Sequence, residues 1–407
     1  MTSRKTLLIL GGGTYCVRAI EAVHEAGYRT VVVDRDQDAP GLAVADVGRA
    51  IDMVDAPAVL ALAREERIDG VMPLNDFGVP TAAHVASALG LRGLTPRTAE
   101  LACDKGLMRA QWERDGLANP EFRVVVSERE ARQACEAIGL PVVVKPADSG
   151  GGGRGVSVVR EPDELAWAYA FAEPRARNGR IVVERFLEGT ELTIEAISHD
   201  GDVHVLAVSD KVKPPLRTRV ATSLHYPADL SSATLEQVHA LAASAVRSLG
   251  ITDGPSHVEM IVTTAGPVLL ELGARGGGGH VFSVITEAVS GVPMVAETAR
   301  VLVGDNPDLR VRHERGCVYL LFGPELGVIR AIRGVDEARA LPGVLDLGVT
   351  RRPGDVLGPL ADSLQRSGFA VVSGRTRQEA MRRADAVFKT VRFELDPLPG
   401  NFSPAHA

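Results

Sequence analysis

The sequence predicts a mixed protein, α/β at the front and α+β behind it, and three observations carry that prediction. Strand and helix patterns alternate through about the first 95 residues. Strands then follow one another closely between about 181 and 210, and a last unit after about 306 carries shorter strands and one final helix. Alternation implies parallel strands covered by helices, whereas closely spaced strands imply antiparallel pairing. The boundaries expected from these shifts are 1–96 for a small parallel α/β domain, 97–305 for an α+β domain, 306–395 for a small α+β domain and 396–407 for a flexible tail.

The elements follow in order. Residues 6–10, TLLIL, form a continuous apolar run ending in glycines, the signature of a buried parallel strand. From Thr14 to Gly27 the spacing is helical, with Val17, Ile20 and Val23 on one side and Gly27 as the stop. RTVVVDRD begins a second strand, and APAVLALAREERI, DGVMPLN and VPTAAHVASALG continue as helix, strand and helix. One helix is expected over 97–116, leading to Pro120. EFRVVVS and PVVVKP then read as strands flanking the helix EREARQACEAIG. RIVVERFL, ELTIEAIS and DVHVLAVSD are the closely spaced strands. A helix at about 233–249 precedes HVEMIVTTAGPVLLELGAR, two strands joined by a Thr-Thr-Ala-Gly turn. A last helix is expected near 376–387, and DPLPGNFSPAHA is a Pro-rich tail with too little apolar surface to order itself.

Composition excludes several classes. The 407 residues are enough for two to four domains, and 45% hydrophobic with 24% charged residues is an ordinary globular balance. A net charge of −7 offers no basic face for nucleic acid. The first strand lacks the longer apolar region and cleavage site of a signal peptide, and no apolar run approaches the roughly 20 residues of a membrane helix. A cytoplasmic location is expected. Cys16, Cys103, Cys135 and Cys317 lie far apart without metal-ligand spacing and read as reduced, mostly buried thiols.

The turn GGGTY after the first strand invites a dinucleotide reading, with Asp34 closing the second strand. That fingerprint needs a third glycine, and counting from Gly11 and Gly13 the position is Cys16. A structural turn, an ancillary phosphate or substrate contact and a nicotinamide site all stay open, the last disfavoured by Cys16.

Only six of the 45 basic residues are Lys, and two of these occupy specific settings. Lys105 follows Asp104 at a helix start, and Lys145 ends PVVVKP; compact ammonium groups there suit phosphate oxygens. The run Ser149, Gly150, Gly151, Gly152, Gly153 and Gly155 exposes backbone N–H groups that can cradle an anion, although no GxxxxGK[ST] loop is present. VERFLEGTE brings Glu184, Glu188 and Glu191 onto or just after a strand, where they can serve a nucleotide or form a solvated rim. Glu259 and Glu271 belong to the two strands of the hairpin and can lie side by side. Such a carboxylate pair repels unless a cation lies between, and magnesium suits it. Arg275 can clamp a carboxylate or a developing phosphate charge.

In this order the motifs DKGLMR, VVVKPADSGGGGRGV, VERFLEGTE, HVEM and LLELGAR resemble the ATP-grasp superfamily, within its carboxylate–amine ligases related to carbamoyl-phosphate synthetase and L-amino acid ligases. The likeness extends to about residue 393. It implies an ATP-grasp fold: a Rossmann-like pre-ATP-grasp domain at 1–96, central and lid subdomains within 97–305, and a C-terminal domain closing the substrate side. It further implies ATP and Mg2+, with Mn2+ as an alternative. Lys105 and Lys145 would contact phosphates, the 149–155 loop would close over them, and Glu184 with the backbone near Phe186 would hold adenine. Glu191 would take the ribose, Glu259 and Glu271 the metal, and Arg275 the acyl phosphate or tetrahedral intermediate, with Lys145 and Arg275 the catalytic pair. Many relatives carry Asn two residues after the second metal glutamate; here that residue is Gly273.

The expected reaction is attack of a carboxylate on the γ-phosphate, then displacement of phosphate by an amine, with small-molecule acid and amine as the partners. Lys211, Lys213, Arg217, His225, Arg275, Gly277 and His280 are candidates for the substrate side, or surface charges and a structural histidine. Rival readings are a bicarbonate-dependent carboxylase, a nicotinamide-dependent reductase and an ATP-binding regulator. Homodimerisation through the front domain is left open.

Overall fold

The protein is described by a computed structural model covering residues 4–148, 150–214, 220–323 and 326–398. Ser149, Arg217 and the end of the expected tail from residue 399 lie outside the described residues. The chain forms two compact units: Met1–Asn119, Thr193–Val208 and Leu230–Glu314 make the first, and Pro120–Leu192, Ser209–Asp229 and Arg315–Ala407 the second.

In the first unit, four parallel strands run in the order Val47–Ala50, Arg29–Asp34, Thr6–Leu10, Gly70–Pro73. All five residues of Thr6–Leu10 are buried, as a strand covered on both faces must be. Leu7 and Ile9 enter one apolar cluster with Ile20, Val23 and Val295; Leu8 and Leu10 enter another with Val59, Leu62 and Val85. The edge strand Val47–Ala50 escapes a reading by hydrophobic pattern, being short and half exposed. Behind the parallel sheet in sequence stands the hairpin Gly254–Thr263/Gly266–Gly273, in which Glu259 is paired directly with Glu271.

The single helix expected over 97–116 is two helices, Pro96–Cys103 and Lys105–Arg114. Asp104 is extended, at φ −126 and ψ 113, and its carboxylate accepts from Leu107 N at 2.9 Å. An aspartate satisfies the orphan N–H groups of a helix start well, so it ends one helix and caps the next. The break makes Lys105 the first residue of a helix.

The second unit holds a four-stranded antiparallel sheet, Phe122–Val125, Ile181–Arg185, Val142–Pro146, Ser157–Val159. The helices Glu128–Ile138 and Leu165–Ala172 cover it through Ala131, Cys135, Ala168 and Tyr169. Another antiparallel run takes in Ser223–Tyr226, Gly316–Phe322, Gly368–Gly374 and Val344–Val349, with the helix Arg377–Thr390 packed on it through Ala380, Ala384 and Val387. Among the described residues no single helix is long and apolar enough to cross a membrane. The cysteines are free thiols; burial pushes Cys16 up to about 11 and Cys317 to about 12, so both stay protonated at neutral pH.

Candidate active site

In the first unit five charged groups gather around the carboxylate hairpin. Successive residues of a strand alternate faces, so His257 and Glu259 share one face with Glu271 and Gly273 opposite them. The Lys105 ammonium lies 3.1 Å from Glu271 Oε1. Burial opposes its charge, but Glu271, then Asp76 and Glu259, outweigh burial and raise its pKa above the ordinary lysine value. Arg275 is gripped bidentately by Asp76, Nε to Oδ1 at 3.0 Å and Nη2 to Oδ2 at 2.9 Å. Asp76 is thereby held below the usual carboxylate range despite its burial. The turn that presents it is local: Asn75 Oδ1 accepts from Phe77 N and Gly78 N, leaving Asp76 at the start of a short 3-10 turn.

Glu195 is wholly buried, with Oε1 2.5 Å from His257 Nδ1 and Oε2 accepting from Gly277 N at 3.0 Å. His257 Nε2 lies 3.4 Å from Glu259 Oε1. Burial disfavours the imidazolium, yet Glu195 and Glu259 raise its pKa from 6.5 to about 9. Glu259 and Glu271 fit a divalent cation: they are directly opposed, about a quarter exposed, and balanced here by His257 and Lys105. Among the described residues, His199, Asp200 and Asp253 are the group whose ligand atoms lie within 4.8 Å of one another, but Arg92 Nη1 sits 2.6 and 2.9 Å from the two aspartates and supplies the positive charge itself.

In the second unit Lys145 Nζ is 2.8 Å from Glu184 Oε1, both side chains buried. Glu191 is buried too, and accepts from Lys213 Nζ at 2.6 Å and from Lys211 Nζ at 3.1 Å. The lysine assigned to the acid and the glutamate assigned to the ribose are therefore one cluster. Gly150, Gly151, Gly152 and Gly153 have φ between 72 and 74, and Gly155 has 71, a left-handed run natural to glycine. Gly152 O accepts from Ser363 N at 3.0 Å, which ties this loop to the chain's last third. Phe186 N donates to Pro141 O, and the Arg160 guanidinium lies 5.1 Å from the Phe186 ring centre. His225 Nε2 lies 2.9 Å from Ser223 Oγ, and burial together with Arg377 lowers its pKa. Arg377 is itself paired bidentately with Asp210.

The hairpin thus brings Glu259 and Glu271 together as the sequence suggested, with Lys105, Arg275 and Gly277 in the same cluster. His280 is buried in the same unit, its ring edge-on to Tyr15 at 5.7 Å between centres. Sequence reading missed Asp76, Glu195 and His257. Only His257 had a legible signal, two residues before Glu259 on one strand face. The front glycine turn is closed by its own chain: Gly12 N donates to Asp34 Oδ2 at 2.8 Å, so the carboxylate a ribose would need already holds the turn.

Three family models match: the ATP-grasp N-terminal domain over residues 20–93, the ATP-binding domain of the carbamoyl-phosphate synthase L chain over 110–309, and the L-amino acid ligase C-terminal domain 2 over 319–396. A formate-dependent phosphoribosylglycinamide formyltransferase from Burkholderia lata is 30% identical over 410 residues, covering 96% of each chain. The chain is an ATP-grasp ligase. Its fold is matched by an L-amino acid ligase from Bacillus licheniformis, TM-score 0.83 at 24% identity, covering 97% of this chain and 100% of the other. A phosphoribosylglycinamide synthetase from Anaerococcus prevotii matches with TM-score 0.76 at 20% identity, covering 97% and 100%. The ligase is an ADP-forming, C–N bond-forming enzyme that takes small-molecule substrates, and its family binds ATP with a divalent metal.

Proposed function

We propose that the ligase uses ATP and Mg2+ to activate a small carboxylate, an amino acid or a related acid, and joins it to an amine as an amide or peptide bond. The observation that carries this reading is the match of residues 319–396 to the L-amino acid ligase C-terminal domain 2, in a chain whose hairpin carries Glu259 and Glu271 beside Lys105 and Arg275. A carboxylate oxygen attacks the γ-phosphorus, the bond to the β-phosphate oxygen breaks, and ADP leaves. The amine nitrogen then attacks the acyl carbon, the C–O bond to phosphate breaks, and phosphate leaves as the nitrogen loses a proton. A divalent ion between Glu259 and Glu271 would supply charge neutralisation on phosphate oxygens.

The chain's own groups divide the remaining work. Lys105 adds a fixed positive charge, and Arg275, oriented by Asp76, meets the charge that develops on the acyl phosphate or tetrahedral oxygen. In the second unit Lys145, Glu184, Glu191 and the glycines from Gly150 to Gly155 serve the nucleotide, the loop excluding water from an intermediate that water would hydrolyse. Lys211, His225, Gly277 and His280 serve the acid or the amine.

A second reading takes formate as the acid and the amino group of phosphoribosylglycinamide as the acceptor. Its support is the 30% identity over 96% of the chain to an enzyme of that name. One experiment tests both: purified protein with MgATP against pairs of amino acids and against formate with phosphoribosylglycinamide, following ADP and product mass together. ADP release that needs two amino acids, with a product equal to their sum minus water, supports the first reading. Product only from formate and phosphoribosylglycinamide replaces it with the second. ADP elicited by bicarbonate alone removes both.

A further inference from the structure

We infer that His257 is the third protein ligand of the divalent metal, through Nε2, and that Glu195 holds it in that role. The inference rests on the reading of Glu259 and Glu271 as the metal carboxylates. It begins with position 273, which shares a face with both. Gly273 has no side chain to offer, and the space above it is taken: a Cβ there would stand 3.0 Å from Arg275 Cζ. That guanidinium cannot yield freely, because Asp76 grips it at 3.0 and 2.9 Å. The residue paired with Gly273 across the hairpin is His257, whose ring is only 11% exposed. His257 thus stands across the hairpin from Gly273, on the face that carries both carboxylates.

The surroundings of the ring are those of a metal-binding imidazole. Such a histidine commonly gives its other N–H to a carboxylate, which orients the ring; Nε2 carries a proton while the ring is charged, and metal binding releases it. Here Nδ1 faces the wholly buried Glu195 at 2.5 Å, and Nε2 faces Glu259. Glu195 is fixed in turn by Gly277 N, and a Cβ at Gly277 would stand 2.6 Å from Glu195 Oε1, so that site admits only glycine without rearrangement. The Nε2 to Oε1 separation is also informative. At 3.4 Å it is long for a charge-assisted hydrogen bond, which closes to about 2.7–2.9 Å. Two neighbouring ligands of an octahedral ion with bonds of about 2.1 Å stand about 3 Å apart. A small rotation of either side chain makes the pair chelating.

Glu271 faces Lys105 in this structure, so holding the ion would exchange that ammonium for the metal. An imidazole beside two carboxylates also changes which ion is preferred. Mg2+ favours oxygen donors, whereas an imidazole nitrogen raises affinity for Mn2+ relative to Mg2+. The proposed site therefore favours Mn2+ over Mg2+ more than two carboxylates alone do.

The test uses the full-length protein with Mn2+ and a non-hydrolysable ATP analogue, read by electron spin-echo envelope modulation and by Mn2+ titration. The expected result is an imidazole nitrogen coupling that shifts when histidine is labelled with 15N and vanishes in His257→Gln. In Glu195→Gln the coupling weakens and Mn2+ affinity falls about 10–100-fold. Bound Mn2+ that is lost in Glu271→Gln yet shows no histidine coupling overturns the inference and leaves the carboxylate site standing. Coupling that persists in His257→Gln overturns it as well. Mn2+ binding unchanged in both Glu259→Gln and Glu271→Gln removes the metal reading itself, and the inference with it. Should His257→Gln not fold, the coupling and its 15N shift in the wild-type protein, with the Glu195→Gln titration, decide the matter.

Discussion

Lys105 and Lys145 each reach a glutamate, and the two pairs sit in different surroundings. Lys145 and Glu184 project from neighbouring antiparallel strands, with side chains 7% and 4% exposed. Lys105 is equally buried, but its partner Glu271 keeps 28% of its surface and lies in a group with Asp76, Glu259 and Arg275. A sealed pair has paid its desolvation once and is costly to break, whereas an open carboxylate within a network can pass from one cation to another. The first unit thus carries exchangeable charge and the second fixed charge, although lysine and glutamate make both.

The largest expected effect breaks the comparison if it fails. Glu271→Gln removes the exchangeable carboxylate, and turnover measured as ADP release should fall by at least about 10³-fold, several kcal/mol of charge stabilisation. Glu184→Gln should act on the fold as well as on nucleotide binding: removing the negative charge from a pair this buried costs about 3–5 kcal/mol. Thermal melting should then fall by about 6–20 °C for a unit of this size. The double variant Lys145→Met/Glu184→Leu should recover most of that loss while staying inactive. A Glu184→Gln protein that melts with the wild type would erase the distinction between the pairs.

The Arg275–Asp76 pair comes next. Asp76→Asn leaves the guanidinium in place but releases its bidentate grip, and a side chain displaced by about 1 Å costs on the order of 10²-fold in rate. The loss should fall on kcat, with KM for ATP nearly unchanged. A loss confined to KM would make Arg275 a binding residue only.

These pairs also show what a sequence can display. The Glu259–Glu271 pairing was legible because a tight turn and period-two alternation fix both register and face over a dozen residues. The strand Thr6–Leu10 was legible because five buried residues in a row leave no room for another pattern, whereas Val47–Ala50 on the sheet edge was not. Asp76 and Arg275 stand 199 residues apart, and Glu195 and His257 stand 62 apart; no local rule joins them, and only the folded sheet does. The break at Asp104 was half legible. Lys105 after Asp104 reads as a helix start, yet helical spacing continues on both sides of it, so the expectation of one helix over 97–116 passed over the break. The partners of Glu191 were hidden, since nothing local shows that Lys211 and Lys213 return to it.

Two histidines sharpen the contrast through pH, with opposite signs. At His257 burial disfavours the charged ring, but Glu195 overrides it and raises the pKa from 6.5 to about 9. The native state then binds this proton more tightly than the unfolded chain. The stability it contributes, on the order of 3 kcal/mol, is complete below pH 6.5 and is lost as pH rises through about 9. At His225 burial and then Arg377 depress the pKa below 6.5, so its contribution is present above pH 6.5 and lost as pH falls through the lower native value. Melting of the metal-free protein followed from pH 5 to 10 should decline at both ends. Glu195→Gln should flatten the alkaline side and His225→Gln the acid side; the reverse assignment would overturn the electrostatic picture of both units.

The smallest effect separates the two glycine turns. Gly13 has φ −62, and a Cβ there meets nothing within 4 Å. Gly13→Ala should therefore change stability by less than about 0.5 kcal/mol, or raise it slightly by restricting the unfolded chain. Gly152 has φ +73, and a Cβ there would lie 2.6 Å from Ser363 Oγ, beside the hydrogen bond from Ser363 N to Gly152 O. Gly152→Ala strains the backbone and presses on that contact, at a cost of about 1–2 kcal/mol. If the loop closes over nucleotide, part of that cost appears as a several-fold higher KM for ATP. Gly152→Ala/Ser363→Gly removes the side chain in the way while keeping the backbone strain. Recovery in the double variant would assign the defect to the Ser363 contact, and persistence would assign it to the left-handed run itself.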